Sequence, residues 1–215
     1  MKYSKLLSSI ILVIVLSACT SKEIQAETLI KESEVQTATA HDSSAPRYTK
    51  TAKIPLSQLH GHFEYNVADF IHEKQFPEQW NFRMIVDYQP KEQLYVLRSK
   101  NEGVDFTVSA YMEYLTCFIN DLSKRNQAKS GLLTWDKRTQ SRFSNDDKPD
   151  LLSVFFSEEG MKLMLSPDDL TKQIPTLKKR YPNWELSKEM VSDVRLDNAF
   201  AKEVCRLYQS PFADN

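Results

Sequence analysis

The sequence predicts an α+β domain, a single antiparallel sheet with helices packed on one face. Three observations carry that expectation. Segments with the two-residue apolar period of strands come in a run, segments with helical period gather after them, and the turns between are short, with no regular alternation of strand and helix. The 215 residues, 41% hydrophobic and 27% charged, have the composition of an ordinary globular protein, with room for one domain of roughly 150 residues plus tails.

The first element of the domain is a short helix in NVADFIHEKQF, where Asn66 stands as N-cap and Val67, Phe70 and Ile71 share a face. FRMIVDYQ and QLYVLRSK read as strands joined across Pro90-Lys91-Glu92. In VDFTVSAYM, entered across Lys100 to Gly103, Val104, Phe106, Val108 and Ala110 alternate with Asp105, Thr107 and Ser109, the period of a half-buried strand. Tyr111, Leu115, Phe118, Ile119 and Leu122 then recur at helical spacing and predict a helix to about Arg125, with one long continuous strand as the alternative. GLLTWDKRTQSRF fits a strand, and LLSVFFS with MKLMLS fits a hairpin around Glu158-Glu159-Gly160. In SPDDLTKQ, Ser166 stands as N-cap, Pro167 takes the first helical position, and two acids meet the positive end of the helix dipole. Pro175 then limits or kinks that helix. DNAFAKEVCRLYQ predicts the last helix, with Phe200, Val204, Leu207 and Tyr208 on one side and Pro211 closing it.

The first 18 residues read differently. Lys2 and Lys5 precede an apolar run from Leu6 to Leu16, broken only by Ser8 and Ser9, which ends in the small pair Ser17-Ala18. This is the build of a secretory signal peptide, too short to cross a bilayer core of ~30 Å. The stretch that closes it, Leu16-Ser17-Ala18-Cys19, resembles the lipobox of bacterial lipoproteins: an aliphatic residue, two small residues, then cysteine. The resemblance covers about the first 20 residues. It implies cleavage after Ala18, a diacylglyceryl group on the sulfur of Cys19 and acylation of the new amino terminus, so that the partner of Cys19 is the lipid bilayer. Several acyl chains hold a protein stably where one holds it marginally. Thr20 rather than Asp after the cysteine implies the outer membrane, with the domain facing the periplasm.

Residues 19–53 carry the lipidated cysteine and a flexible tether. Ser, Thr, Glu, Lys and Ala dominate, and the scattered Ile24, Leu29, Ile30 and Val35 bury too little area to offset the entropy of ordering. Such a chain has a root-mean-square span of roughly 30 Å and reaches about 110 Å at full stretch. The expected organisation is therefore a signal peptide at 1–18, anchor and tether at 19–53, and a globular α+β domain at 54–215.

Composition excludes several classes of function. A formal charge of −1, or −3 once cleavage removes Lys2 and Lys5, gives no strong attraction for polyanions, so nucleic acid is not an expected partner. Gly61, Gly103, Gly131 and Gly160 are the four glycines and lie far apart, which excludes GxGxxG and GxxxxGK[ST] phosphate cradles, and GxSxG is absent. No catalytic residue and no cofactor is assigned.

Four constellations remain. With Cys19 set aside as the anchor, Cys117 and Cys205 form an even pair in a compartment that oxidises thiols, and a disulfide between them is expected over two separate buried thiols. His60, His62 and His72, with Glu64 and Glu73 beside them, offer imidazoles for a zinc or copper ion. No HExxH accompanies them, and metal-free histidines are the plainer reading. Lys124, Arg125, Lys129, Lys137, Arg138 and Arg142 gather around Trp135 as a candidate contact for an anionic surface, or as a solvated loop and edge strand. KKRYPNWELS joins three bases to Tyr181 and Trp184, able to stack on a sugar, or simply a helix end and a turn. The expected function is a lipid-anchored envelope protein whose domain is a non-catalytic binding module for an envelope protein or glycan. The alternative is a metal-dependent envelope hydrolase using the His60/His62 region.

Overall fold

Alternating apolar side chains at Phe82, Met84 and Val86 build the centre of a sheet. The structure, a computed structural model, describes residues 52–72, 80–101, 108–143, 151–196 and 198–214. Within them, β1 (His62–Asn66), β2 (Phe82–Gln89), β3 (Leu94–Asn101), β4 (Ser130–Thr134), β5 (Met161–Ser166) and β6 (Val191–Asp193) form one open sheet in the order β1-β2-β3-β5-β4-β6. Every neighbouring pair is antiparallel. The helices are α1 (Val108–Arg125), α2 (Lys137–Phe143), α3 (Leu151–Phe155), α4 (Ile174–Arg180) and α5 (Asn198–Val204). This is the single α+β domain that the sequence predicts, and no helix among the described residues is long and apolar enough to cross a membrane.

The main core lies on one sheet face. Phe63 and Tyr65 of β1, Phe82, Met84 and Val86 of β2, Tyr95 and Leu97 of β3, and Met161 and Leu163 of β5 all turn toward it. Helix α1 covers them with Tyr111, Tyr114, Leu115, Phe118 and Leu122, a stripe three or four residues apart that turns its largest buried groups to one side. Polar atoms buried there are paired: the Tyr114 hydroxyl donates to the Tyr65 hydroxyl at 2.8 Å, and Ser99 Oγ lies 2.6 Å from the Tyr111 hydroxyl. Desolvation pushes both Tyr65 and Tyr114 well above the ordinary phenol range, so both stay neutral. The other face is covered at one end, where Leu94, Val96, Leu132 and Met164 meet Leu170, Ile174, Leu177 and Leu186 in a smaller core. Its β1-β2 end carries His62, Glu64, Arg83 and Asp87.

Several elements depart from their sequence expectation. Residues 102–107 lie outside the described residues, but Val108 to Met112, expected as the end of a strand, already belong to α1. Val108 is 56% exposed, which fits a helix's first turn and not a core strand position. LLSVFFS is helical over α3, which inserts Val154 and Phe155 into the core, so no hairpin precedes β5; a short apolar run has the same composition in a buried helix and a buried strand. In GLLTWDKRTQSRF only Ser130–Thr134 is strand, because Asp136 Oδ1 accepts from the Arg138 amide at 2.9 Å and α2 begins there. Ser166 ends β5 and is not a helix cap. That role falls to Asp169, whose Oδ1 accepts from Thr171 N at 2.9 Å at the start of a 3-10 turn, Leu170–Gln173. Pro175 sits in the first turn of α4, where its missing N–H costs nothing, and so opens a helix instead of limiting one. The helix expected after Asn66 is a 3-10 turn, Val67–Phe70, capped by Asn66 as expected; the part from Glu73 to Phe76 lies outside the described residues.

Gly160 turns the chain from α3 into β5 with φ +60°, and a Cβ there would collide with the Leu97 carbonyl and the Arg98 side chain. Gly160→Ala is therefore expected to lower the free energy of unfolding by about 2 kcal/mol or more, read from urea denaturation at unchanged m-value.

Candidate functional site

The three histidines reach separate partners. His60 Nε2 lies 2.8 Å from Asn126 Oδ1, which also accepts from the Tyr95 hydroxyl at 3.0 Å, and the His60 ring rests 4.7 Å from the Tyr88 ring. His62 Nδ1 lies 2.6 Å from Asp87 Oδ1 on the open sheet face, and His72 Nδ1 lies 2.6 Å from Gln209 Nε2 near the C-terminal tail. Among the described residues no three His, Cys, Asp or Glu side chains are grouped to hold a metal ion. HxH brings two imidazoles to one ion only when both project alike. Here one joins Asn126, just past the end of α1, and the other joins Asp87 of β2.

Cys117 in the middle of α1 and Cys205 just after α5 are disulfide-bonded, with Cα atoms 5.6 Å apart and a sequence separation of 88. The bond starts a clasp that the sequence did not announce. Asp121, one turn on from Cys117, accepts from the Tyr208 hydroxyl at 2.9 Å and from Ser210 Oγ at 2.6 Å, and pairs with Arg125 Nε at 3.1 Å. Arg125 also donates to Ser210 Oγ and to the Ala213 carbonyl, and its guanidinium stands 5.0 Å over the Phe212 ring. The tail is then hydrogen-bonded to the chain's entry into the domain: Ile54 N donates to Pro211 O at 2.8 Å and Ala213 N to Ile54 O at 2.9 Å.

Four of the six bases picked from Lys124 to Arg142 are consumed inside the fold. Arg125 serves Asp121, Lys137 reaches Glu185 at 3.4 Å, Arg138 grips Asp136, and Arg142 reaches Glu159 at 3.3 Å. Lys124 and Lys129 are exposed, at the end of α1 and before β4. The run is thus a set of local ion pairs and not one free cationic surface. On the open sheet face Asp87 is shared by Arg98 and His62; burial pushes its carboxyl up, but the hydrogen bonds from His62 and Arg98 outweigh that and hold it below the ordinary range. Asp136 is held low first by the side-chain hydrogen bonds of Arg138. Lys162, between these groups, is pushed down by its burial.

The fourth constellation forms a defined surface. The Tyr181 and Trp184 rings stack with centroids 4.0 Å apart and planes 8° from parallel, at the edge of the smaller core. The loop bearing them is pinned to the start of α2: Trp184 N donates to Tyr181 O, Lys137 N to Asn183 O at 2.7 Å, and Glu185 N to Trp135 O at 2.9 Å. The Tyr181 hydroxyl and Trp135 Nε1 are buried without a hydrogen-bond partner. Next to Tyr181 in the chain, Lys178, Lys179 and Arg180 in the last turn of α4 are exposed, and so are Lys172 before that helix and Lys188 after the loop. Among the described residues none of the five makes an ion pair, but Lys172 acts on Asp169, and Lys178 and Lys188 act on Glu189. The sequence motif marked the first three and did not include Lys172, before α4, or Lys188, after the loop.

The geometry defines an α+β domain with an open antiparallel sheet, clasped by a disulfide and presenting an aromatic and basic patch. No protein-family model, curated protein or solved structure matches the chain.

Two outcomes test this description. Replacing both cysteines, Cys117→Ser with Cys205→Ser, is expected to cost about 4 kcal/mol, since a closed loop of 88 residues constrains the unfolded chain, and urea unfolding measures it. Stability should also fall in acid. The folded-state values of Asp87 and Asp136 are depressed, so their contribution is complete above the unfolded value of about 3.9 and is lost as pH falls through the lower folded values. Asp136→Asn should flatten that acid limb in a pH series of thermal unfolding curves.

Proposed function

We propose that this chain is a lipid-anchored protein of the bacterial cell envelope. Acylated Cys19 holds it to the outer membrane, and its domain faces the periplasm as a non-catalytic binding module. The observation that carries the reading is the allocation of the three cysteines. Cys117 and Cys205 are joined to each other, which suits an oxidising compartment and leaves Cys19, at the end of LSAC, as the thiol free to take lipid. The tether of residues 19–53 then gives the domain reach from the membrane. The absence of nucleotide cradles from the sequence and the dispersal of His60, His62 and His72 onto separate partners favour binding over catalysis, and the metal-hydrolase alternative draws no support from the site. The partner on this reading is an envelope protein or glycan.

Mass spectrometry of the protein from bacterial membranes should find a mature N-terminal peptide beginning at Cys19 and carrying acyl chains. Cys19→Ala should abolish incorporation of labelled palmitate and release or strand the protein unprocessed. A soluble, unacylated mature form of the unaltered chain would overturn the anchor, and stoichiometric zinc lost in His60→Ala/His62→Ala would overturn the non-catalytic role.

A further inference from the structure

We propose that the Cys117–Cys205 disulfide is a redox-operated latch on α5, opened by exchange with a dithiol while the sheet and the C-terminal tail stay in place. Cys117, Asp121 and Arg125, four residues apart, make one flank of α1, and α5 with the tail is strapped along it. The two halves of the strap are held differently. Residues 207–213 have ties of their own: His72 N donates to Leu207 O at 2.9 Å, Gln209 N to Phe70 O at 2.7 Å, Tyr208 and Ser210 to Asp121, and Phe212 is fully buried in the main core. Helix α5 has no such support. Among the described residues, none of its side chains joins either core, and no hydrogen bond or ion pair ties it to the rest of the domain.

What joins α5 to α1 is the sulfur bridge at its end, with Arg206 beside it acting on Glu113, one turn before Cys117. Both charged groups are exposed, and an exposed charge contact contributes little. A disulfide between elements that also pack together is a staple, because packing still holds them when it is cut. Here the covalent link carries the attachment, so cutting it moves one element and leaves the others their contacts. The freed α5 becomes a charged loop bearing Lys202, Glu203 and Arg206, held at its ends by Leu196 N on Asn120 Oδ1 and by Leu207 O on the His72 amide.

The two cysteines are unequal in access. Cys117 is 2% exposed in the middle of α1, whereas Cys205 is half-buried past the end of α5. Exchange begins at the sulfur that a thiolate can reach. One thiolate of the dithiol attacks Cys205 Sγ, the S–S bond breaks, and its electron pair leaves on Cys117 Sγ, which takes up a proton. The second thiol of the dithiol loses its proton, attacks the mixed disulfide and expels the Cys205 thiolate, which is protonated in turn. Two electrons and two protons pass from the dithiol to the pair, and the dithiol ends as a disulfide. The latch rests on this bond and not on the lipid anchor.

The full chain, purified in mild detergent, is treated with dithiothreitol at mildly alkaline pH without denaturant, and amide hydrogen exchange is followed by mass spectrometry. Reduction is expected to raise exchange in residues 198–206 about tenfold or more, while β2, β3 and residues 207–213 keep most of their protection. Iodoacetamide should then label both Cys117 and Cys205. Cys117→Ser/Cys205→Ser should show the same exchange pattern without reductant, and reduction of the unaltered chain remains decisive if that variant fails to fold. Unchanged exchange in residues 198–206 after reduction would overturn the latch. Loss of protection in the sheet or the tail together with α5 would overturn it too, by making the bond a staple of the whole domain. A bond that dithiothreitol opens only in urea would do the same, since no dithiol could then operate it on the folded protein. Each outcome reads the same whether or not Cys19 carries lipid.

Discussion

The covalent bond between Cys117 and Cys205 joins the middle of the longest helix to the end of the last one, and the placement of the tail follows from it. With Cys205 fixed beside α1, the next residues run where Asp121 and Arg125 can hold them, and Tyr208, Ser210 and Ala213 each find a partner one or two turns further along that helix. Phe212 then drops into the main core against Phe63 and Phe118. The bond lowers the entropy of the unfolded chain, so that holding Tyr208 and Ser210 on the half-buried Asp121–Arg125 pair, more than eighty positions away, costs less. The pair is satisfied on several sides, the condition under which a partly buried ion pair is retained without a large desolvation penalty.

The clasp also sets how the domain would meet a load. The chain enters at Ile54, and Ile54 is bridged in parallel to Phe212 and hydrogen-bonded on both sides to the tail. A pull at Ile54 is therefore shared between the backbone, which runs on into β1, and the tail, from which it passes into α1 through the disulfide and the Asp121 network. Ile71, bridged to Tyr208, ties a second point of the N-terminal region to the same tail. Entry and exit of the domain are thus one joint, and the covalent bond is its strongest member.

Legibility in the sequence followed the range of the interaction that decides each element. β2, β3 and β5 were readable because alternation and turn residues are local signals, and α1 was readable from Tyr111 onward because its stripe is long. LLSVFFS was not, because its five apolar residues pack equally well as strand or helix and tertiary contact with Tyr111 decides. Ser166 carried a cap signal that β5 overrode, since its backbone pairs with Ser130. The basic run at 124–142 misled for an electrostatic reason. Counting charge along a chain leaves out Asp121, Glu159 and Glu185, which folding brings onto Arg125, Arg142 and Lys137. The two cysteines were legible because chemistry, not packing, pairs them once Cys19 is assigned to lipid.

The same pairing logic is what favours the proposed binding role over catalysis. General acid–base chemistry needs titratable groups that converge on a space a substrate can enter, with at least one partner left unsatisfied until the reaction. In this domain Asp87 is engaged by Arg98 and His62, Asp136 by Arg138, Asp121 by Arg125, Tyr208 and Ser210, and Glu159 by Arg142 and Thr139. Each carboxylate is spent on holding the fold. Lys178, Lys179 and Arg180 at the end of α4 form no ion pair among the described residues, and exposed cations on a rigid surface can attract and position an anionic chain but supply no nucleophile or base at neutral pH. A surface of that kind selects for a partner long enough to touch several bases at once, because single exposed charge pairs contribute little and only their repetition along a polymer gives useful affinity.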